Sequence, residues 1–314
     1  MMQSIVTHNS KNALKKKSKG SIEKHQRKYG YLFALPWILG LLLFYAYPLL
    51  SSVYYSFTNY NVISEASWVG LRNYLELFKD PTFRISITNT IVYALMAVPT
   101  SVLLGINLAL LLNIPIKAQG IFRTIFFLPT LVPVVATSII WQWLLNPQFG
   151  IVNFLLDKVG ITGPPWLGNP HWAKPSLVLM AQWVIGNTVI VYLAGLQDIS
   201  QDYYEAADLD GANWFQKAIR ITLPLLSPVI FFNMVMGIIN TLQVFTLPYA
   251  LTYGTGNPAN SLLFYSMYLY NNAFAYMKMG YASAMAWILF VIIITITLFI
   301  FRSSNKWVFY QDEG

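Results

Sequence analysis

The chain of 314 residues contains no cysteine and only 10% charged residues, where a soluble domain carries roughly 25%. The first absence excludes disulfides, thiolate nucleophiles and cysteine-ligated metal sites. The second excludes water as the main solvent of the fold. Three histidines, His8, His25 and His171, are too scattered to suggest a metal centre. No segment fits G-x-x-x-x-G-K-[ST], H-E-x-x-H or G-x-S-x-G, so nucleotide hydrolysis, zinc proteolysis and serine esterase chemistry have no expected seat here. No metal or cofactor is expected in the chain itself.

What is abundant is apolar: hydrophobic residues make up 56%, and mean hydropathy is +0.51. Several runs reach the length of about 20 residues that a helix needs to cross a bilayer core. Six spans are read over 31–53, 85–112, 122–145, 175–196, 224–246 and 280–301. The expected fold is all-α, polytopic, in three parts: a basic cytoplasmic tail (1–30), a six-span domain (31–302) and a short cytoplasmic tail (303–314).

The formal charge of +8 does not indicate nucleic acid. Much of it lies in one run, Lys11, Lys15, Lys16, Lys17, Lys19, Lys24, Arg27 and Lys28, just before the first apolar stretch. That placement reads as a topogenic signal holding the N-terminus in the cytoplasm, or as a contact for anionic lipid. The stretch is too long for the apolar region of a cleavable signal peptide. An even number of spans returns the C-terminus to the same side. The segments then inside also hold Lys117, Arg123, Lys217, Arg220, Arg302 and Lys306.

Mid-membrane carboxylates, the usual signature of ion coupling, are missing from the six spans, and Arg123 lies at the very start of the third. The spans instead carry neutral amides: Asn89, Asn107, Gln142, Gln182, Asn187, Asn233, Asn240 and Gln243. Hydrogen bonding between helices accounts for any one of them taken alone. Pro99, Pro129, Pro133, Pro224 and Pro228 interrupt helical backbone, which lipid tolerates only where protein or a wet cavity satisfies the freed carbonyls. Gly105, Gly186 and Gly195 offer points of close helix approach. The outer segment 146–174 holds a short amphipathic piece, Ile151 to Val159, with Trp166 and Trp172 read as interfacial anchors. The segment 247–278 is rich in Tyr and Asn with one charge, Lys278.

One cytoplasmic segment, 198–223, is too charged to span. Its sequence, DISQDYYEAADLDGANWFQKAIRITLP with the following proline, predicts helix, turn, helix. Ser200 is a candidate N-cap, Asp202 suits the first turn, and Gly211 suits a positive-φ stop. Ala206 and Ala207 leave a small surface that a partner can approach, flanked by Tyr203, Tyr204 and Trp214.

Glu205, Ala206, Ala207, then Gly211, Ile221, Leu223 and Pro224 fit the pattern EAA-x3-G-x9-I-x-L-P. With LFALPWILGLLLFYAYPLLSSVYYSFTNYN, WVGLRNYLELFKDPTF and MGYASAMAWILF, nearly the whole chain resembles the permease subunits of binding-protein-dependent ABC sugar importers of the maltose type. The resemblance implies a type I importer core in a bacterial cytoplasmic membrane. It implies a second homologous permease, two copies of a cytoplasmic ABC ATPase holding ATP and Mg, and an external sugar-binding protein. By the same resemblance Glu205, Ala206, Ala207 and Gly211 form a coupling helix seated in the ATPase, with Asp208 and Asp210 able to pair with its basic groups. Asn240, Gln243, Tyr249 and Tyr253 are the candidates for solute contact. Import of a polyol or glycerol phosphate, and a non-transporting assembly or sensor subunit, are the alternatives.

Overall fold

The computed structural model describes residues 29–115 and 117–309; the basic run, His8 and His25 lie outside them. The described chain falls into two units, divided between Tyr55 and Ser56. The described part of the first belongs to one helix, Tyr29–Ser56, apolar and long enough to span, whose last residue opens the second unit. It loosens into a π turn at Leu42–Ala46, where the Tyr47 N–H bonds back to Leu42 O. Pro48 follows, with no N–H to give and a ring that crowds the carbonyl four residues back; a wider turn upstream relieves both.

In the second unit, three single helices are long and apolar enough to cross a membrane: Pro81–Asn113, Trp214–Thr252 and Met279–Ser304. Two bent pairs pass the same length and apolarity test together, and counting each as one span brings the number to six: Gln119–Leu131 with Val134–Leu144, bent by 102°, and Pro170–Trp183 with Gly186–Gln197, bent by 53°. The third and fourth spans are therefore broken helices rather than the continuous ones expected. In the third, Pro133 supplies the break: its φ of −56° and ψ of 139° end one helix and start the next. The fourth breaks with no proline at the joint, around Val184 and Ile185. The physical reason lies in a neighbour. A Cβ on Gly186 would stand 2.7 Å from Phe126 O and 2.9 Å from Phe127 Cα, so the joint falls where the third span's backbone approaches too closely for a side chain.

The other two glycines also mark close approach. A Cβ on Gly105 would meet the Tyr192 ring at 2.8 Å, and one on Gly195 would meet Val229 Cγ2 at 2.7 Å. These contacts lock spans two, four and five around a core of Ile106, Ala109, Val189, Tyr192, Leu196 and Leu226. In lipid no hydrophobic force drives helices together, so this close fit of small residues supplies the packing.

At the opposite end, the segment after span five folds back into the second span. Asn89 Nδ2 donates to the carbonyls of Asn260 and Leu263, and the Tyr265 N–H donates to Thr90 Oγ1. Asn89 is thus a structural clamp. Asn107 and Asn233 are likewise spent on their own helices, on Leu103 O and Val229 O. Trp166 is not a free anchor: its Nε1 donates to the buried Asn153 Oδ1, its ring meets Trp172 edge-on at 5.2 Å, and it packs on a core that includes Tyr93, Leu145, Leu177 and Phe264.

Asp80 ties three elements at this end. Its Oδ1 caps the second span by accepting from the Thr82 N–H, and its Oδ2 accepts from the hydroxyls of Tyr268 and Tyr281. Burial pushes the Asp80 carboxyl up, but the two hydroxyls and the backbone N–H groups of Thr82 and Phe83 outweigh it and hold it below its ordinary value. Burial and the bond to Asp80 push the Tyr268 hydroxyl up to about 12.

Candidate functional site: the 200–224 loop and the far end of span five

Ser200 caps the helix Gln201–Leu209 by accepting from the Asp202 N–H. The helix ends in a Schellman turn: Ala212 N–H bonds to Ala207 O at 2.9 Å, and Gly211 N–H bonds to Asp208 O at 3.0 Å. The turn requires the left-handed region, and Gly211 sits there at φ +76° with open space around it. Glycine is needed for backbone freedom, not for room. Asn213 then opens the next helix with a capping box, exchanging hydrogen bonds with Gln216.

Two side-chain links hold the short helix to the helix beyond it. Tyr204 and Thr222 share a hydroxyl hydrogen bond of 3.0 Å, and Lys217 Nζ lies 2.7 Å from Asp208 Oδ1. Tyr204 also packs on the core of spans two, four and five. The opposite side is open. Glu205, Ala206 and Asp210 are exposed, Ala207 is half-buried, and Leu209 is 91% exposed at the tip. A large apolar side chain in that position is a contact awaiting a partner or a turn left in water, and the EAA residues surround it.

The Ile221, Leu223 and Pro224 end of the motif shows why a proline recurs there. A π turn spans Ala218–Thr222 and Leu223 N–H bonds to Ala218 O. As at Pro48, the wide turn ends two residues before a proline. The motif thus sets a register shift where the loop passes into span five, carrying the loop and the span as one continuous helix.

At the other end of span five, the four solute candidates do not form one cluster. Asn240 and Gln243 are exposed and three residues apart, so they share a helix face. Tyr253 is 83% exposed in a left-handed conformation at the end of the helix Thr246–Thr252. Tyr249 alone joins an aromatic group: its ring lies 5.0 Å from Phe245 and 5.4 Å from Tyr270, and Tyr270 lies 4.9 Å from Phe274. Asn271 Nδ2 fixes this group to the chain by donating to Gly254 O. Phe245, Tyr270 and Phe274 were not singled out by the sequence reading; the available signal was the i, i+4 spacing of Tyr270 and Phe274 in a Tyr- and Asn-rich segment.

Apolar spans, a folded polar loop carrying the EAA pattern, and a neutral aromatic surface beyond span five define a membrane transport permease. The chain belongs to the family described as binding-protein-dependent transport system inner membrane component, which matches residues 97–310. It is 40% identical over 98% of its length, and 99% of the relative's, to the probable ABC transporter permease protein YesP of Bacillus subtilis strain 168. It is 34% identical to the lactose transport system permease protein LacF of Rhizobium radiobacter, covering 92% of this chain and 98% of that one. The arabinooligosaccharides transport system permease protein AraP of Bacillus subtilis strain 168 is 33% identical over 90% of each chain. Among solved structures, a bacterial alginate ABC transporter, in complex with an alginate pentasaccharide-bound periplasmic protein, superposes with a TM-score of 0.80 at 25% identity. That match covers 90% of this chain and 95% of that chain.

Proposed function

We propose that this chain forms half of the translocation path of an ATP-driven carbohydrate importer and takes its motive force through the 201–209 helix. The observation that carries the reading is the bonding of that helix to span five through Tyr204 and Thr222, with Glu205 and Ala206 left exposed on the other side and Ala207 half-buried. A cytoplasmic ATPase engages Glu205, Ala206, Ala207, Asp210 and Gly211. Its motion passes through the π turn into the span whose far end carries the solute candidates. The N- and C-termini lie in the cytoplasm, with the basic run 1–30 and the segment 303–314 as tails around the 31–302 membrane domain. ATP and Mg are bound by that ATPase; this chain does no hydrolysis of its own. A second permease completes the path, and an external binding protein delivers the sugar.

A carbohydrate is favoured by the substrates named for the lactose and arabinooligosaccharide relatives and by the chemistry of the far end of span five. Aromatic faces of Phe245, Tyr249 and Tyr270, together with exposed amides at Asn240 and Gln243 near the end of the same span, suit a ligand with apolar C–H faces and many hydroxyls. The loaded binding protein and ATP need only stabilise the outward and inward states differently for the cycle to turn.

The test is the ratio of sugar uptake to ATP hydrolysis in proteoliposomes holding the assembled importer. Tyr204→Phe and Leu209→Ser are expected to lower uptake at least about fivefold per ATP hydrolysed, a coupling loss of roughly 1 kcal/mol. An unchanged ratio in both would sink the assignment of the loop. For the path, Asn240→Ala with Gln243→Ala is expected to shift the KM for uptake or the range of sugars accepted; identical KM and range would remove these two residues from it.

A further inference from the structure

A polar pocket of about 400 Å³ lies where the loop after the first span, the helix Arg72–Lys79 and the segment before the last span meet. The candidate solute residues of span five take no part in it. Its frame is rigid. Asn73 is buried and donates to the carbonyls of Ser56 and Thr58, Gly280 N–H donates to Tyr60 O, and the Asp80 junction closes the floor.

Of the four charged side chains around it, three are committed. Arg72 and Glu76 pair with each other at 2.8 Å, and Asp80 accepts from two tyrosines and a backbone N–H. Lys278, exposed on the rim, has no ion-pair partner among the described residues. The two rim amides carry the same bias. Asn59 Oδ1 accepts from the N–H and hydroxyl of Ser67, and Asn61 Oδ1 accepts from Ile63 N–H, Ser64 N–H and the Ser64 hydroxyl. Backbone donors fix both orientations, so each amide leaves its NH2 group without an acceptor among the described residues. Beside the exposed Arg72–Glu76 pair, the rim therefore presents an unpaired ammonium and two amide NH2 groups, with the amide oxygens already used inside the loop. That pattern recognises a group that only accepts: a carboxylate.

We propose that this pocket is a docking socket for an acidic side chain of the external solute-binding protein, held by Lys278, Asn59 and Asn61. The proposal rests on the importer reading above and gives the delivering partner a point of attachment. The pocket is built from the segments that, in the proposed orientation, face outward, and one cation without an ion-pair partner among the described residues suits a partner that must leave after delivery. An exposed pair of this kind sets encounter rate and register more than final affinity.

The experiment measures binding of the sugar-loaded binding protein that co-purifies with the importer, using the whole complex in lipid nanodiscs at about 50 and 150 mM salt. Lys278→Gln is expected to weaken binding about 5- to 10-fold at low salt and to flatten its salt dependence. Lys278→Glu is expected to weaken it further, and Lys278→Arg to keep it near wild type, which excludes misfolding as the cause. Wild-type affinity and salt slope in both Lys278→Gln and Lys278→Glu would overturn the proposal. So would an equal loss in Lys278→Arg, because the charge would then not be what the partner reads. If the unaltered complex binds no such protein at all, the importer reading itself fails, a result distinct from either of these.

Discussion

Gly211 holds a backbone angle of +76° with nothing within 4 Å of where a Cβ would stand, so the cost of replacing it is conformational alone. Gly211→Ala should destabilise the Schellman turn by about 1 kcal/mol and raise amide exchange in 201–209 roughly fivefold, with Gly211→Asn costing less. Asp80 makes the opposite kind of contribution, through what it bonds. Asp80→Ala removes a helix cap and strands two tyrosine hydroxyls, which should cost about 2–3 kcal/mol, read as a lowered melting temperature of the purified complex. The sign of its pH dependence follows from its lowered carboxyl. A group held below its unfolded value near 3.9 contributes stability in full above that pH, and loses it as pH falls through the lower folded value. Wild type should therefore lose melting temperature more steeply than Asp80→Asn when taken from pH 5 towards pH 3.

Among the elements, the broken fourth span shows how much packing can override a local pattern. Its apolar run reads as continuous, and no proline announces the bend. The bend falls where a Cβ on Gly186 would meet the backbone of Phe126 and Phe127. Gly186→Ala should cost about 1–3 kcal/mol, because the atom it meets is backbone and cannot swing aside. Gly120→Ala, in a helix with open space around it, should be neutral or slightly stabilising. Thermal melts of the two variants side by side check both expectations. The 201–209 helix is the converse case. Its cap, its stop and the following turn are all local chemistry, and Ser200, Gly211 and the short range of the bonds they make were readable from residue order. Its links to span five were not, since nothing in the order of residues says that Tyr204 meets Thr222.

For the whole molecule, the family assignment and the exposure of the EAA helix lead to the expectation that this chain does not act alone. Affinity purification of a tagged chain should bring down a second permease, an ATPase and a binding protein. Loss of the ATPase on changing Glu205 to a bulky apolar residue, with membrane levels unchanged, would place the contact at the loop; full retention would move it elsewhere.

The sequence by itself determined the solvent of this protein, the number of its spans and the class of machine it belongs to. These depend on composition, on apolar run length and on short motifs whose chemistry is local. Tertiary structure alone decided which polar groups are free to act. Asn89 and Asn240 look alike as amides in apolar runs, yet one clamps two carbonyls of a segment more than 170 positions away and the other stays exposed. Asn59 and Asn61 likewise became donors because a folded loop had already used their oxygens. Whether a polar group is spent or available depends on its partners in space, and those are fixed only when the chain has packed.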